Sequence, residues 1–234
     1  MPSVPQPDLL TLPGQPYLEF HARRYTYLLD RVDWLLNNRF DEPWNILDIG
    51  PSFQTAMLRK KYPNATIDTA GFQDHRFPCR RHESHVELNL NEVEQPTLRE
   101  YDIVLLAEVI EHLYAPPVRV LSNVKKWLKP GCSVIVQTPN PISLGKRLQL
   151  LAGHSPFEVI REDARNPGHF CEYTVKDMAD IAREAGLEPL GIWAKNYFGP
   201  GGALNIAYDL ACLLFPGHLQ DGITAVLRKP FPKA

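Results

Sequence analysis

The sequence predicts an α/β protein built on a doubly wound, mostly parallel sheet. Short apolar runs of strand length alternate with amphipathic stretches of helical period. Tyr101–Ala107 is apolar almost throughout, as a strand buried on both faces of a parallel sheet must be. Two of the runs, NILDIG and YDIVLLAEVIEHL, end in glycine, carboxylate and imidazole groups, where open α/β sheets bind ligands.

The elements follow in order. Residues 1–16 are proline-rich and read as an extended arm before a single domain over 17–234. Between Tyr17 and Asn37 the positions Leu18, Tyr25, Leu28, Leu29, Val32, Leu35 and Leu36 recur at helical spacing, predicting one amphipathic helix, whole or broken once. Asn45–Gly50 reads as a strand, 52–62 as the helix after it, and Pro63-Asn64 as its turn. Ala65–Phe72, Val86–Leu90 and Asp102–Ala107 read as further strands. Pro117–Leu128 has a helical pattern stopped by Pro130-Gly131, and Cys132–Thr138 is a fifth strand. Residues 141–168 form a lid-like insertion with a short helix, Leu144–Leu151, and a polar loop, Arg161–Gly168. Thr174–Ala185 is a helix N-capped by Thr174 and ended by Gly186. Leu190–Trp193 and Ile223–Leu227 are late strands around a helix at Ala203–Leu214.

Composition narrows the class. With 44% hydrophobic residues, the 234-residue chain can bury a sizeable core. A formal net charge of -2 without a block of like charge speaks against a general nucleic-acid surface, and Arg76, Arg80 and Arg81 read as a solvated loop. Cys79, Cys132, Cys171 and Cys212 form no CxxC pair and no zinc spacing, so nothing calls for an oxidising compartment. The first residues lack the basic and apolar regions of a signal peptide. Ala203–Phe215 is too short and, with Asn205 and Asp209, too polar for a membrane span. The expectation is a cytoplasmic protein.

The strand ends carry the chemistry. Gly50 lets a ligand approach the backbone, and Asp48 offers a carboxylate beside it. Here the chain resembles the class I S-adenosylmethionine-dependent methyltransferases, whose first motif, hhDhGxGxG, reads ILDIGPSFQT with Ser52 and Gln54 in place of the later glycines. The likeness continues in order through ATIDTAGFQD, VELNLNE, the Glu108 segment and WLKPGCSVIVQTPN. It implies a Rossmann-like, seven-stranded sheet with an antiparallel last strand. It also implies a cofactor site made of Asp48, Gly50, Ser52, Gly71, Asp74, Asn89, Leu90 and Glu108. In that scheme Asn89 and Leu90 meet the adenine, while Asp74 stands in for the ribose-binding acid that Gly71 displaces. Asp68 falls inside its strand and faces elsewhere. A nucleotide-binding dehydrogenase is the neighbouring alternative, but its GxGxxG turn is missing.

Glu108, Glu111 and His112 share one face of a helical turn. Together with His169 in HFCEYT they resemble the ExxEH and HxxE[YW]T motifs of metal-using O-methyltransferases acting on ubiquinone precursors or on the terminal ribose of small RNAs. That resemblance implies Glu108, Glu111, His112 and His169 as ligands of a divalent ion, Mg or Mn, which would acidify an acceptor hydroxyl. Without metal, His112 or His169 would be the general base, with Glu111 beside them. The bland alternative stays open: the cluster hydrogen-bonds only its own turn. His21, His75, His82, His85, His154 and His218 gain no role.

The acceptor belongs over the fourth and fifth strands, under the lid with its Arg147, Arg161, Arg165 and Asn166. TPNPISLGKRLQLLAG and NPGHFCEYT also resemble methyltransferases of glycan and natural-product pathways, which suggests a hydroxyl on a sugar, natural product or catechol-like small molecule. Two other readings remain: an RNA 3′-terminal ribose 2′-O-methyltransferase, disfavoured by the balanced charge, and a non-catalytic interaction protein on the same fold. The sequence leaves the oligomeric state open.

Overall fold

The computed structural model describes residues 15–37, 39, 41–163, 165–198, 210 and 219–232. Most of the expected N-terminal arm, and the expected helix at Ala203–Leu214 apart from Leu210, lie outside the described residues. No helix among the described residues is long and apolar enough to cross a membrane.

Seven strands form one sheet: β1 (Asn45–Ile49), β2 (Thr66–Ala70), β3 (His85–Val86), β4 (Tyr101–Ala107), β5 (Leu128–Pro139), β6 (Glu188–Lys195) and β7 (Gly222–Arg228). Their order is β3-β2-β1-β4-β5-β7-β6, and β7 alone runs against its neighbours. The sheet expected from the resemblance is therefore present, reversed last strand included.

Helices cover both faces: α1 (Gln15–Phe20), α2 (Ala22–Leu36), α3 (Phe53–Lys61), α4 (Pro117–Lys126), α5 (Leu144–Leu151) and α6 (Val175–Glu184). Tyr25, Leu28, Val32 and Leu36 of α2 recur at helical spacing and are fully buried, each contributing about 1.5–3 kcal/mol through its burial. Leu28, Val32 and Leu36 pack with Leu58 of α3 under Ile46, Ile67, Ile103 and Leu105, and Tyr25 packs with Phe53 and Phe77. On the other face Val120, Leu121 and Val124 of α4 and Met178 and Ala182 of α6 pack on Leu47, Val104 and Val134. The predicted amphipathic helix is broken once, at His21, whose ring packs among Tyr17, Phe20 and Phe198.

Two strands depart from expectation. β3 is only two residues long, not Val86–Leu90, because β2 ends at Ala70 and offers no further partner. The chain from Glu87 therefore leaves the sheet. β5 begins at Leu128, not at Cys132. The helix before it ends at Lys126, ahead of Pro130-Gly131, and the strand runs through that pair: Gly131 takes a left-handed φ of 79° within an irregularity of the register, and its N–H bonds the Lys229 carbonyl at 2.9 Å. His85 lies in β3, with its Nδ1 2.8 Å from the Thr69 hydroxyl. The arginine loop is also more ordered than its composition suggests: Arg76 grips Asp74, and Arg80 donates to the Arg59 carbonyl.

Candidate active site

The carboxyl ends of β1, β2 and β4 open into a cavity of about 960 Å³. Its floor exists because the chain turns sharply at two glycines. Gly50 (φ 79°) donates its N–H to the Ala70 carbonyl at 2.9 Å, and Gly71 (φ 106°) donates to the Val86 carbonyl at 3.0 Å. A Cβ on Gly50 would stand 2.9 Å from Cγ2 of Val109, so side-chain-free backbone is required where the β1 and β4 turns meet.

Asp48 does not line this cavity. It is completely buried beneath it, accepting from Nε2 of Gln54 at 2.8 Å and from the Thr55 hydroxyl at 2.5 Å. Burial pushes its carboxyl up to about 6 despite those bonds. The Thr55 hydroxyl also receives the Ser52 N–H at 3.0 Å, so Gln54 and Thr55 shape the altered glycine loop from within. Gly50, Ser52, Gly71, Asp74, Leu90 and Glu108 do face the cavity, as does Asn89. The Asn89 side-chain oxygen already accepts the Asn91 N–H at 3.1 Å. Asp74 is gripped by Arg76, whose hydrogen bonds outweigh burial and hold the carboxyl below its ordinary range.

Glu108 is one of two described non-glycine residues with a left-handed backbone, at φ 56°. Its carboxylate lies 3.8 Å from the Arg24 guanidinium, and burial raises its pKa against that attraction. Arg24 is a cavity residue that sequence reasoning missed. It is 1% exposed, lines the cavity, and leaves Nε and Nη1 without hydrogen-bond partners. A signal was present: Arg24 occupies the buried stripe of α2, four residues before Leu28.

Glu111 and His112 sit on a single 3-10 turn, Ile110–His112, directly after β4. Glu111 is fully buried, and neither carboxylate oxygen has a hydrogen-bond partner. Burial and the nearby Glu108 raise its pKa well above the usual range. His112 donates Nδ1–H to the Gly168 carbonyl at 2.9 Å, which leaves Nε2 as a lone pair 3.9 Å from Glu111. Burial lowers its pKa, so the ring is neutral at pH 7. His169 arrives from the loop before α6. The Phe170 N–H, 2.8 Å from the Glu111 carbonyl, pins that loop to the β4 turn. The two imidazoles meet edge to face with centroids 4.9 Å apart. His169 donates Nδ1–H to Glu172 at 2.8 Å, which again leaves Nε2 open.

Ligand atoms of Glu111, His112 and His169 lie within 4.8 Å of one another. A buried carboxylate without partners and two imidazoles, each with Nδ1 spent on a fixed acceptor, is a donor set that suits a divalent ion. Glu108, expected as a fourth ligand, stands apart from this group because its carboxylate faces Arg24 and the cavity. Of the lid residues, Arg161 and Arg165 line the cavity, whereas Arg147 turns back to the Ile142 carbonyl.

A model of the methyltransferase domain family matches residues 20–191. Among curated proteins, none matches the sequence. Solved structures share the fold at low identity. A SAM-dependent methyltransferase from Archaeoglobus fulgidus has a TM-score of 0.56 and 16% identity over 92% of this chain and 100% of its own. The N-methyltransferase NodS from Bradyrhizobium japonicum WM9, in complex with S-adenosyl-L-homocysteine, has a TM-score of 0.53 and 15% identity over 94% of each chain. An O-methyltransferase family protein from Burkholderia thailandensis has a TM-score of 0.54 and 14% identity over 92% of this chain and 59% of its own.

Proposed function

The chain belongs to the methyltransferase domain family, and from that membership we propose that it transfers a methyl group from S-adenosylmethionine to a hydroxyl of a small molecule. The observation that carries the cofactor half of this reading is the cavity over Gly50, Gly71, Leu90 and Glu108, with a buried, under-bonded arginine in its wall. In this assignment Leu90 packs on the adenine and Asn89 offers it polar contacts. Asp74 and Glu108 take hydroxyl and ammonium groups, and Arg24 takes the methionyl carboxylate. Asp48 acts from below, holding the loop that Ser52, Gln54 and Thr55 build in place of the later glycines.

The acceptor half rests on the histidine pair. A hydroxyl is a weak nucleophile, unlike a neutral amine, so it needs a base or a Lewis acid. An Nε2 lone pair on a neutral His112, beside His169, supplies the base. The acceptor oxygen attacks the methyl carbon, the carbon–sulfur bond breaks, S-adenosylhomocysteine leaves, and the hydroxyl proton passes to Nε2. Glu111, His112 and His169 also suit a divalent ion such as Mg or Mn, which when bound would lower the hydroxyl pKa and fix the oxygen near the methyl group. The apolar and arginine-bearing lid favours a small organic acceptor, and the net charge of -2 offers RNA no attraction.

Calorimetric titration with S-adenosylmethionine and S-adenosylhomocysteine tests the cofactor half. Micromolar binding is expected, and no heat at millimolar ligand sinks it. A screen of hydroxyl against amine acceptors tests the other half: transfer only to amines would overturn the O-methylation reading.

A further inference from the structure

Glu172 has no place in the methyl-transfer scheme, yet it is the most heavily committed carboxylate near the histidine pair. Its side chain is 3% exposed. Oε1 accepts the His169 Nδ1–H at 2.8 Å, and Oε2 is paired with the Lys146 ammonium. Burial pushes its pKa up, but the bonds from His169 and Lys146 win and hold it below the ordinary carboxylate range. A buried carboxylate is costly without partners, and here both of its oxygens are matched.

The surroundings leave little else for this residue to do. The chain before it is fixed by the Phe170 N–H on the Glu111 carbonyl. The chain after it is fixed by the Thr174–Asp177 capping box of α6. With the backbone held at both ends, the open variables of His169 are its ring rotation and its tautomer, and Glu172 closes both. Lys146 comes from α5, a helix that buries no side chain of its own. The ion pair is thus a polar tether between that lid helix and the histidine.

We propose that Glu172 is the positioning residue of His169, holding it in the Nδ1–H tautomer with Nε2 toward Glu111 and His112, and that Lys146 couples this orientation to the seating of α5. The inference rests on His169 being an active-site residue, but its test needs neither an acceptor nor turnover. Long-range 1H–15N spectra of histidine-labelled protein at pH 8.5 report each neutral tautomer, and the spectrum of His169→Asn assigns the signal. The expected wild-type state is Nδ1–H; an Nε2–H state overturns the proposal before any variant is made.

Glu172→Leu, which removes the acceptor, should release His169 into the Nε2–H form or a mixture, and Glu172→Gln, which keeps an acceptor oxygen, should restore Nδ1–H. Manganese affinity should fall about 10–100-fold in Glu172→Leu and much less in Glu172→Gln. Lys146→Met should keep the tautomer while amide exchange across 144–151 speeds about tenfold or more. An Nδ1–H state retained in Glu172→Leu overturns the positioning role, and unchanged α5 exchange in Lys146→Met overturns the tether. S-adenosylhomocysteine titrations on the same samples separate the two readings: they should agree within about twofold across the variants, and absence of binding in every sample, wild type included, defeats the cofactor assignment while leaving the tautomer result intact.

Discussion

The turns after β1 and β4 lie side by side and each carries a buried carboxylate, but they treat it in opposite ways. Asp48 is enclosed by donors from its own loop, Gln54 and Thr55, and shows nothing to the cavity. Glu111 is just as buried, yet neither oxygen has a hydrogen-bond partner, and ligand atoms of His112 and His169 lie within 4.8 Å of it. Local polarity is consumed by the fold at the first turn and left available at the second. A buried polar group without a partner costs about 1–3 kcal/mol, so the second turn gives up stability that the first keeps. The two neighbouring turns thus differ in how much of their polarity the fold itself uses.

The comparison can be broken by experiment. The largest effect is expected for His112→Ala, which should lower methyl transfer about 10²–10⁴-fold and leave S-adenosylhomocysteine affinity within about twofold; retained transfer would remove the second turn from the chemistry. Next comes pH. The Asp48 pKa rises from its ordinary 3.8 to about 6 in the fold, so the folded protein binds the extra proton between those values. Its contribution is therefore full below about pH 4 and is lost as pH rises through 6, about 3 kcal/mol in all. Urea melts of wild type against Asp48→Asn should show this slope in wild type alone; parallel curves would mean the carboxylate is not as enclosed as its geometry implies. Thr55→Val removes one donor to Asp48 and should cost about 2 kcal/mol in the same melts. Gly50→Ala forces a left-handed alanine against Val109 and should cost about 1–2 kcal/mol, with weaker cofactor binding in calorimetry. The smallest change is expected for Glu111→Leu, which should be neutral or slightly stabilising; marked destabilisation would mean that Glu111 serves the fold after all.

The sheet was legible because its cause is local: apolar runs, helical spacing and a Thr174 cap are all written in adjacent residues. Where the structure departs, long-range pairing decides. β3 is short because β2 ends at Ala70, and β5 passes through Pro130-Gly131 because β7 receives it. The candidate site was legible in its residues and only partly in their arrangement. Gly50, Gly71, Leu90 and His112 line one cavity, and His169 meets His112 from the loop before α6. No spacing could tell that Asp48 would be sealed by its own loop, or that Glu108 would face Arg24 from a helix 84 positions earlier. Such pairings depend on packing between distant segments. Arg24, and the part Glu172 plays within its motif, stayed hidden for the same reason: an arginine on an apolar stripe and a glutamate in a short motif gain meaning only from the distant side chains that meet them.

The left-handed φ of 56° at Glu108 has a consequence for how this position can vary. Glycine would adopt that conformation freely, and glutamate holds it at a cost of about 1 kcal/mol. The same glycine would leave the Arg24 guanidinium without its nearest anion. Relief of that strain is therefore set against an uncompensated buried guanidinium, at about 3–5 kcal/mol the larger of the two, so a library screened for heat resistance alone would keep the strained glutamate and with it the charge on the pocket wall.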